Sequence, residues 1–170
     1  MILALDVGTT ETGYCKIEEI TRLPIEFDKI SNKDLLHKMI STDFLKSIGV
    51  VVYEKFVSYG AVVGSTTLES VQWNGRFIQA VKDIDPTIKI YNVSRIEERK
   101  YICNSMRAGD TEVKHALIER FAVHDKKLGK GTKKYPDFFY GFAKDMWSAY
   151  AVGTVYLDLI GTKEEKEESD

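Results

Sequence analysis

Asp6, Glu54, Asp145 and Ser148 are the side chains here whose type and setting could do hydrolytic chemistry. Asp6 closes the aliphatic run Ile2 to Leu5, and Glu54 closes a second run, Val50 to Tyr53. Unbroken apolar runs of this kind read as strands covered on both faces, and an acid at the end of one is held rigidly at the sheet surface. A lone strand-end Asp is more often a turn or cap residue, so the weight lies in the repetition. Asp145 and Ser148, three residues apart in the apolar segment Phe142 to Gly153, fall on one face of an expected helix. If the strand ends and this helix converge, three carboxylates share one small site. Their repulsion drives one pKa upward unless a divalent cation binds between them. Oxygen-only donors favour Mg²⁺, with Mn²⁺ able to substitute, over zinc. Two such ions about 4 Å apart activate water and hold the leaving oxygen in phosphoryl chemistry.

Other chemistries find little support. The histidines are His37, His115 and His124, no GxSxG is present, and Cys15 and Cys103 lack CxxC spacing. A nucleophilic triad, a zinc site and a disulfide framework are therefore poorly supported.

The elements that must position these acids follow from periodicity. Thr12 to Ile17 reads as a hairpin partner of the first strand, and Pro24 to Ile30 as a third strand toward an edge, since proline cannot donate to a ladder. Asn32 is expected to cap a helix over Lys33 to Ser47, with Gly49 ending it. The Val50 strand follows, then a helix capped by Thr66 or Thr67 that runs to about Ile84 before Asp85-Pro86. Ile88 to Val93 makes a fifth strand. Ser94 caps a helix from Arg95, another helix spans about Asp110 to Val123, and a final one covers roughly Phe138 to Ile160. This alternation predicts an α/β layer fold with a mixed central sheet.

At 170 residues the chain suits one compact domain. No apolar stretch is long enough for a membrane span, and the start lacks secretory features, so a cytoplasmic location is expected. The net charge of −2 hides a segregation: Arg95 to Lys134 holds 11 Lys/Arg against 6 Asp/Glu, and Asp158 to Asp170 holds 6 acids against 2 lysines. Local field steers a polyanion more than the total does. His124 to Pro136, with five lysines and two glycines, reads as a mobile basic loop or a merely solvated one, and Lys163 to Asp170 as a disordered polar tail.

The opening strand with Asp6, Gly8 and Thr12-Gly13-Tyr14 resembles the RuvC family of Holliday junction resolvases, within the ribonuclease H-like nucleases. So does Val51-Val-Tyr-Glu54-Lys-Phe, with the long helix that carries Gly75 and Arg76. The likeness extends over most of residues 1–160. It implies a ribonuclease H-like fold, a mixed five-stranded sheet flanked by helices, in a single nuclease domain over residues 1–162. It also implies Asp6 as the central metal ligand beside Glu54 and Asp145, Mg²⁺-dependent hydrolysis of four-way or other branched DNA, and a homodimer with two active sites. Many members carry two acids spaced by three before Ala on the last helix. Here Asp145 fits the first and Ser148, followed by Ala149, stands at the second. A hydroxyl binds metal more weakly than a carboxylate, which leaves Asp137 or a water to complete the shell. The family's aromatic wedge at the junction points to Phe56 and Tyr59, which are equally readable as core or rim aromatics. Its basic phosphate contacts point to Arg99, Lys100, Arg107, Lys114 and the loop lysines Lys126, Lys127, Lys130, Lys133 and Lys134. Some of the arginines near Glu97 and Glu98 read simply as helix-surface ion pairs. Trp73 and Phe77 are open to a dimer contact or a core role. Small resolvases of this kind are often phage-encoded, which places the expected cytoplasm in a bacterial host.

Two alternatives stand beside this reading. One is a branched-DNA-binding protein with weakened catalysis, which Ser148 favours. The other is a phosphate-binding lobe of actin-like or sugar-kinase type, suggested by Leu5-Asp6-Val-Gly8-Thr-Thr10 but needing a far longer chain.

Overall fold

The computed structural model describes residues 1–167 other than 42, 59, 61, 125, 126 and 144, and the side chains of those up to residue 159. Tyr59 and Lys126, both expected to contact DNA, lie outside the described residues. Five strands, β1 (Ile2–Val7), β2 (Glu11–Ile17), β3 (Pro24–Ser31), β4 (Val50–Lys55) and β5 (Lys89–Ser94), form one sheet in the order β3-β2-β1-β4-β5. β1 pairs antiparallel with β2 and β2 with β3, while β4 runs parallel to both β1 and β5. The sheet is mixed and five-stranded, and β3 carries Pro24 at an edge, as expected.

Helices cover both faces, as two parallel steps require. α1 (Asn32–Ser41) and α2 (Ser65–Ile84) lie over one face, where Leu3, Leu5, Tyr14 and Val51 meet Leu35, Met39, Phe77 and Val81. α3 (Arg95–Cys103), α4 (Asp110–Phe121) and α5 (Met146–Glu167) belong to the other, where Ile2, Ala4, Cys15, Ile17 and Val52 meet the buried side of α5. A Cβ at Gly153 would come within 2.5 Å of Ile17 Cδ1 and 3.0 Å of Ala4 Cβ. The missing side chain lets α5 sit down on the sheet.

Several boundaries differ from the sequence reading. α1 ends at Ser41, and a short 3₁₀ turn, Asp43–Leu45, leads to Ser47 at a φ of 66°. The cap of α1 is Ser31, whose hydroxyl accepts from the Asp34 amide at 3.1 Å. Asn32 is buried instead: it donates to the Gly8 carbonyl at 3.0 Å and accepts from the Thr12 hydroxyl at 2.6 Å, tying down the β1–β2 turn. α2 begins at Ser65 after Gly64, with no side-chain cap from either threonine. Ser94 does cap α3, in a reciprocal box with Glu97.

The largest difference is at the last helix. α5 starts at Met146, so Asp145 precedes it rather than lying inside it. Residues 137–142 turn back on Gly129, and Gly141 adopts a φ of 89° that stops a helix there. Phe139, Phe142, Trp147 and Tyr150 pack mutually at ring separations of 4.5 to 5.7 Å, so aromatic packing accounts for the apolar pattern. The basic loop folds on itself, with Gly131 bridged to Pro136 and the Thr132 amide donating to Tyr135 at 2.8 Å. α5 continues to Glu167, into the segment expected as a tail, because Lys and Glu propagate a helix readily. Residues 168–170 lie outside the described residues.

Asp158, buried on α5, accepts both arms of Arg120 from α4 and lies 3.5 Å from Arg22 in the β2–β3 turn. Removing one partner of a buried pair leaves the others uncompensated. Asp158→Ala is expected to cost about 3 kcal/mol and to lower the melting temperature by roughly 6–12 °C. A loss under about 1 kcal/mol in chemical denaturation would show the pair to behave as an exposed one.

Candidate active site

The side-chain period of a strand settles which way the acids face. In β1, Ile2 and Ala4 point to the α5 layer, so Asp6 does too; in β4, Val52 does, and Glu54 follows it. The register Leu5↔Tyr53 brings Asp6 and Glu54 level on adjacent parallel strands. On the other side Asp6 pairs with Gly13, and Gly13 with Lys29. A Cβ at Gly13 would lie 2.7 Å from the Asp145 carbonyl oxygen and 2.9 Å from its Cβ. Asp145 thus rides over Gly13, and Asp6 lies between Glu54 and Asp145 at the carboxyl edge of the parallel strands, where open α/β sheets hold ligands.

The electrostatics match this placement. Burial, then the charges of Glu54 and Asp145, push Asp6 up to about 7, against the opposing pull of Arg95 and a hydrogen bond with the Ser148 side chain. Ser148 therefore does face the site. Glu54 is also raised, first by burial, with Arg95 3.8 Å away countering. Asp145 turns its carboxylate to Lys29 at 2.7 Å, and Lys29 reaches Glu11 at 3.2 Å. Among the described residues, no three acidic, His or Cys side chains are gathered closely enough to grip one ion together. Asp6 and Glu54 line one cavity of about 360 Å³, whereas Asp145 and Ser148 line a second of about 560 Å³.

Sequence reasoning missed two acids and two cations. Glu98 on α3 is buried and pushed up to about 8, by desolvation first and then by Glu54, Asp6 and Asp110. Its setting beside arginines suggested a surface ion pair. Only the fold turns it inward. Asp110 starts α4 and is held by Arg95 at 3.5 Å and Arg99 at 3.2 Å. Lys29 and Arg95 are the cations that face the acids. Period-2 counting from Gly13 would have aligned Lys29 with the site once β3 was paired.

The expected nucleic-acid contacts divide. Phe56 is exposed and lines the cavity of Asp6 and Glu54. Lys114 and Lys130 line the cavity of Asp145 and Ser148, with Lys114 resting 5.1 Å from the Trp147 ring centre. Lys100, Lys127, Lys133 and Lys134 are exposed and line neither cavity. Arg107 lines a separate depression with Glu112, His115 and Glu119, and Arg99 is engaged by Asp110. Asp137 does not join the acids: its carboxylate accepts from the Val123, His124 and Phe138 amides at 2.7 to 3.0 Å. Phe77 is core, and Trp73 packs 5.8 Å from it.

In chemical type, though not in spacing, the donors suit a hard divalent cation. Asp6, Glu54 and Asp145 offer only oxygen, and Asp6 carries more negative field than Arg95 and Ser148 offset.

No protein-family model and no curated protein sequence matches the chain. Solved structures do. A Thermus thermophilus RuvC in complex with Holliday junction substrate superposes with a TM-score of 0.62 at 11% identity, over 91% of this chain and 90% of that one. Another T. thermophilus RuvC structure gives 0.59 at 11%, over 91% of each. The yeast mitochondrial Holliday junction resolvase Ydc2 gives 0.58 at 14%, over 92% of this chain and 77% of that one. Strand order, helix layers and these superpositions agree that the chain has the ribonuclease H-like fold of those RuvC structures.

Proposed function

We propose that the chain is a divalent-metal-dependent, structure-selective endonuclease that resolves Holliday junctions and other branched DNA by hydrolysing phosphodiester bonds. One observation supports this above the rest: Asp6 sits at the carboxyl edge of the sheet between Glu54 and Asp145, beside a cavity lined by Lys114 and Lys130. The likeness in fold to two kinds of junction resolvase points the same way. Asp6, Glu54 and Asp145 would hold Mg²⁺ or Mn²⁺, which supplies the positive charge that activates water and offsets charge on the phosphate. Ser148 orients the Asp6 carboxylate through its hydrogen bond. Lys114 and Lys130 attract the backbone phosphate as point charges, and Phe56 offers a face for base stacking at an opened junction. A homodimer presents two such sites to opposed strands, with the exposed Leu68 and Val71 on α2 available for the contact. Among the described residues no helix is long and apolar enough to cross a membrane.

A second reading, a junction binder with weakened catalysis, draws on the neutral Ser148 and on the Lys29 ion pair that occupies Asp145.

Asp6→Asn is expected to abolish Mg²⁺-dependent nicking of a synthetic four-way junction while retarding it in a gel as wild type does. Cutting retained by Asp6→Asn refutes the assignment, and an unmutated chain that retards the junction but never cuts it establishes the binder instead. The slope of log affinity against log salt should be distinctly negative and become shallower by about 1 in each of Lys114→Ala and Lys130→Ala. An unchanged slope in both removes them from the phosphate contacts.

Asp6 and Glu98 titrate near 7 and 8 in the fold, against ordinary values of 3.8 and 4.5. Their raised pKa values mean that stability is fully present below about pH 4 and is lost as pH rises through about 7 to 8. In EDTA the melting temperature is expected to fall from roughly pH 5 to pH 9, a trend that saturating Mg²⁺ flattens. A melting temperature that climbs over this range contradicts the burial of these acids.

A further inference from the structure

We infer that Glu98 is an additional cation ligand, supplying from α3 the carboxylate that Ser148 does not provide on α5. The inference rests on the metal-dependent reading above. Glu98 is 5% exposed, and its Oε2 is buried with no hydrogen-bond partner among the described residues. Leaving a buried carboxylate oxygen without a donor is costly, so such an atom calls for a ligand. Glu98 lines the cavity of about 560 Å³ together with Asp145, Ser148 and Asp110. Asp110 is already engaged by Arg95 and Arg99, whereas no Lys or Arg among the described residues forms an ion pair with Glu98.

Lys114 and Lys130 stand on the same cavity, so acids and ammonium groups line one space. Such walls suit a divalent cation on the acidic side with a phosphate oxygen toward the lysines. An all-oxygen donor set, Glu98 with Asp145 and the Ser148 hydroxyl, selects Mg²⁺ or Mn²⁺.

Mn²⁺ binding to the full chain, read by calorimetry and by the spin-resonance signal of free Mn²⁺, tests this without any cleavage assay. Glu98→Gln is expected to lose one bound ion or at least about tenfold in Mn²⁺ affinity, and Glu98→Asp to recover part of that loss because it keeps the charge. In EDTA at about pH 9, where the Glu98 carboxyl is ionised, Glu98→Gln should melt no lower than wild type, since the amide removes a buried charge; a merely structural role would lower it. Wild-type stoichiometry and affinity in Glu98→Gln, or a Glu98→Asp no better than Glu98→Gln, overturns the inference and leaves the nuclease reading standing. A wild-type chain that takes up no Mn²⁺ overturns both.

Discussion

Everything at this site depends on two parallel strands held in register so that the penultimate residue of each is an acid on the same face. The pairing of β1 with β4 and the two-residue alternation leave no freedom: if Ala4 and Val52 pack under α5, Asp6 and Glu54 must face that layer as well. A one-residue slip of either strand would send its acid to the α1–α2 side and bring an aliphatic side chain to the edge. The hydrophobic core thus sets the charge pattern. Ile2, Leu3, Leu5, Val51 and Val52 are all nearly fully buried, which makes the register expensive to change.

The row of residues across the sheet shows how the fold tolerates this concentration of charge. Lys29, Gly13, Asp6 and Glu54 lie side by side on four strands, with Asp145 stacked over the glycine. Cations stand at both ends, Lys29 at one and Arg95 at the other, and the unbalanced acid is in the middle. That is why Asp6 is shifted to about 7, while Asp145, at the flank of the row, is held by Lys29 at 2.7 Å. Gly13 is the one position in the row where a side chain would push Asp145 away.

Much of this was legible beforehand, and the failures have physical causes. Strand ends at Asp6 and Glu54 are written in unbroken aliphatic runs, which hardly any element but a covered strand accommodates. The Ser94 cap is local chemistry and reads directly. The start of α5 did not, because Phe138, Phe139 and Phe142 are apolar in a pattern that an aromatic cluster around Trp147 and Tyr150 satisfies as well as a helix does. Asn32 has the composition of a cap and serves as a buried link between Gly8 and Thr12, a long-range role that no local pattern announces. Glu98 followed the same course: its burial is decided by where α3 settles between β5, α4 and α5.

The ammonium group of Lys29 gives the edge strand a part in the chemistry that its amphipathic sequence conceals. Because it already neutralises Asp145, a dication bound as proposed would not meet a bare carboxylate there but would exchange with a tethered counter-ion. The net gain at that ligand is a difference between two attractions rather than the whole of one. On the proposed metal-dependent reading, a β3 residue on the rim of the sheet would set how much free cation the aqueous phase must contain before Asp145 changes partner.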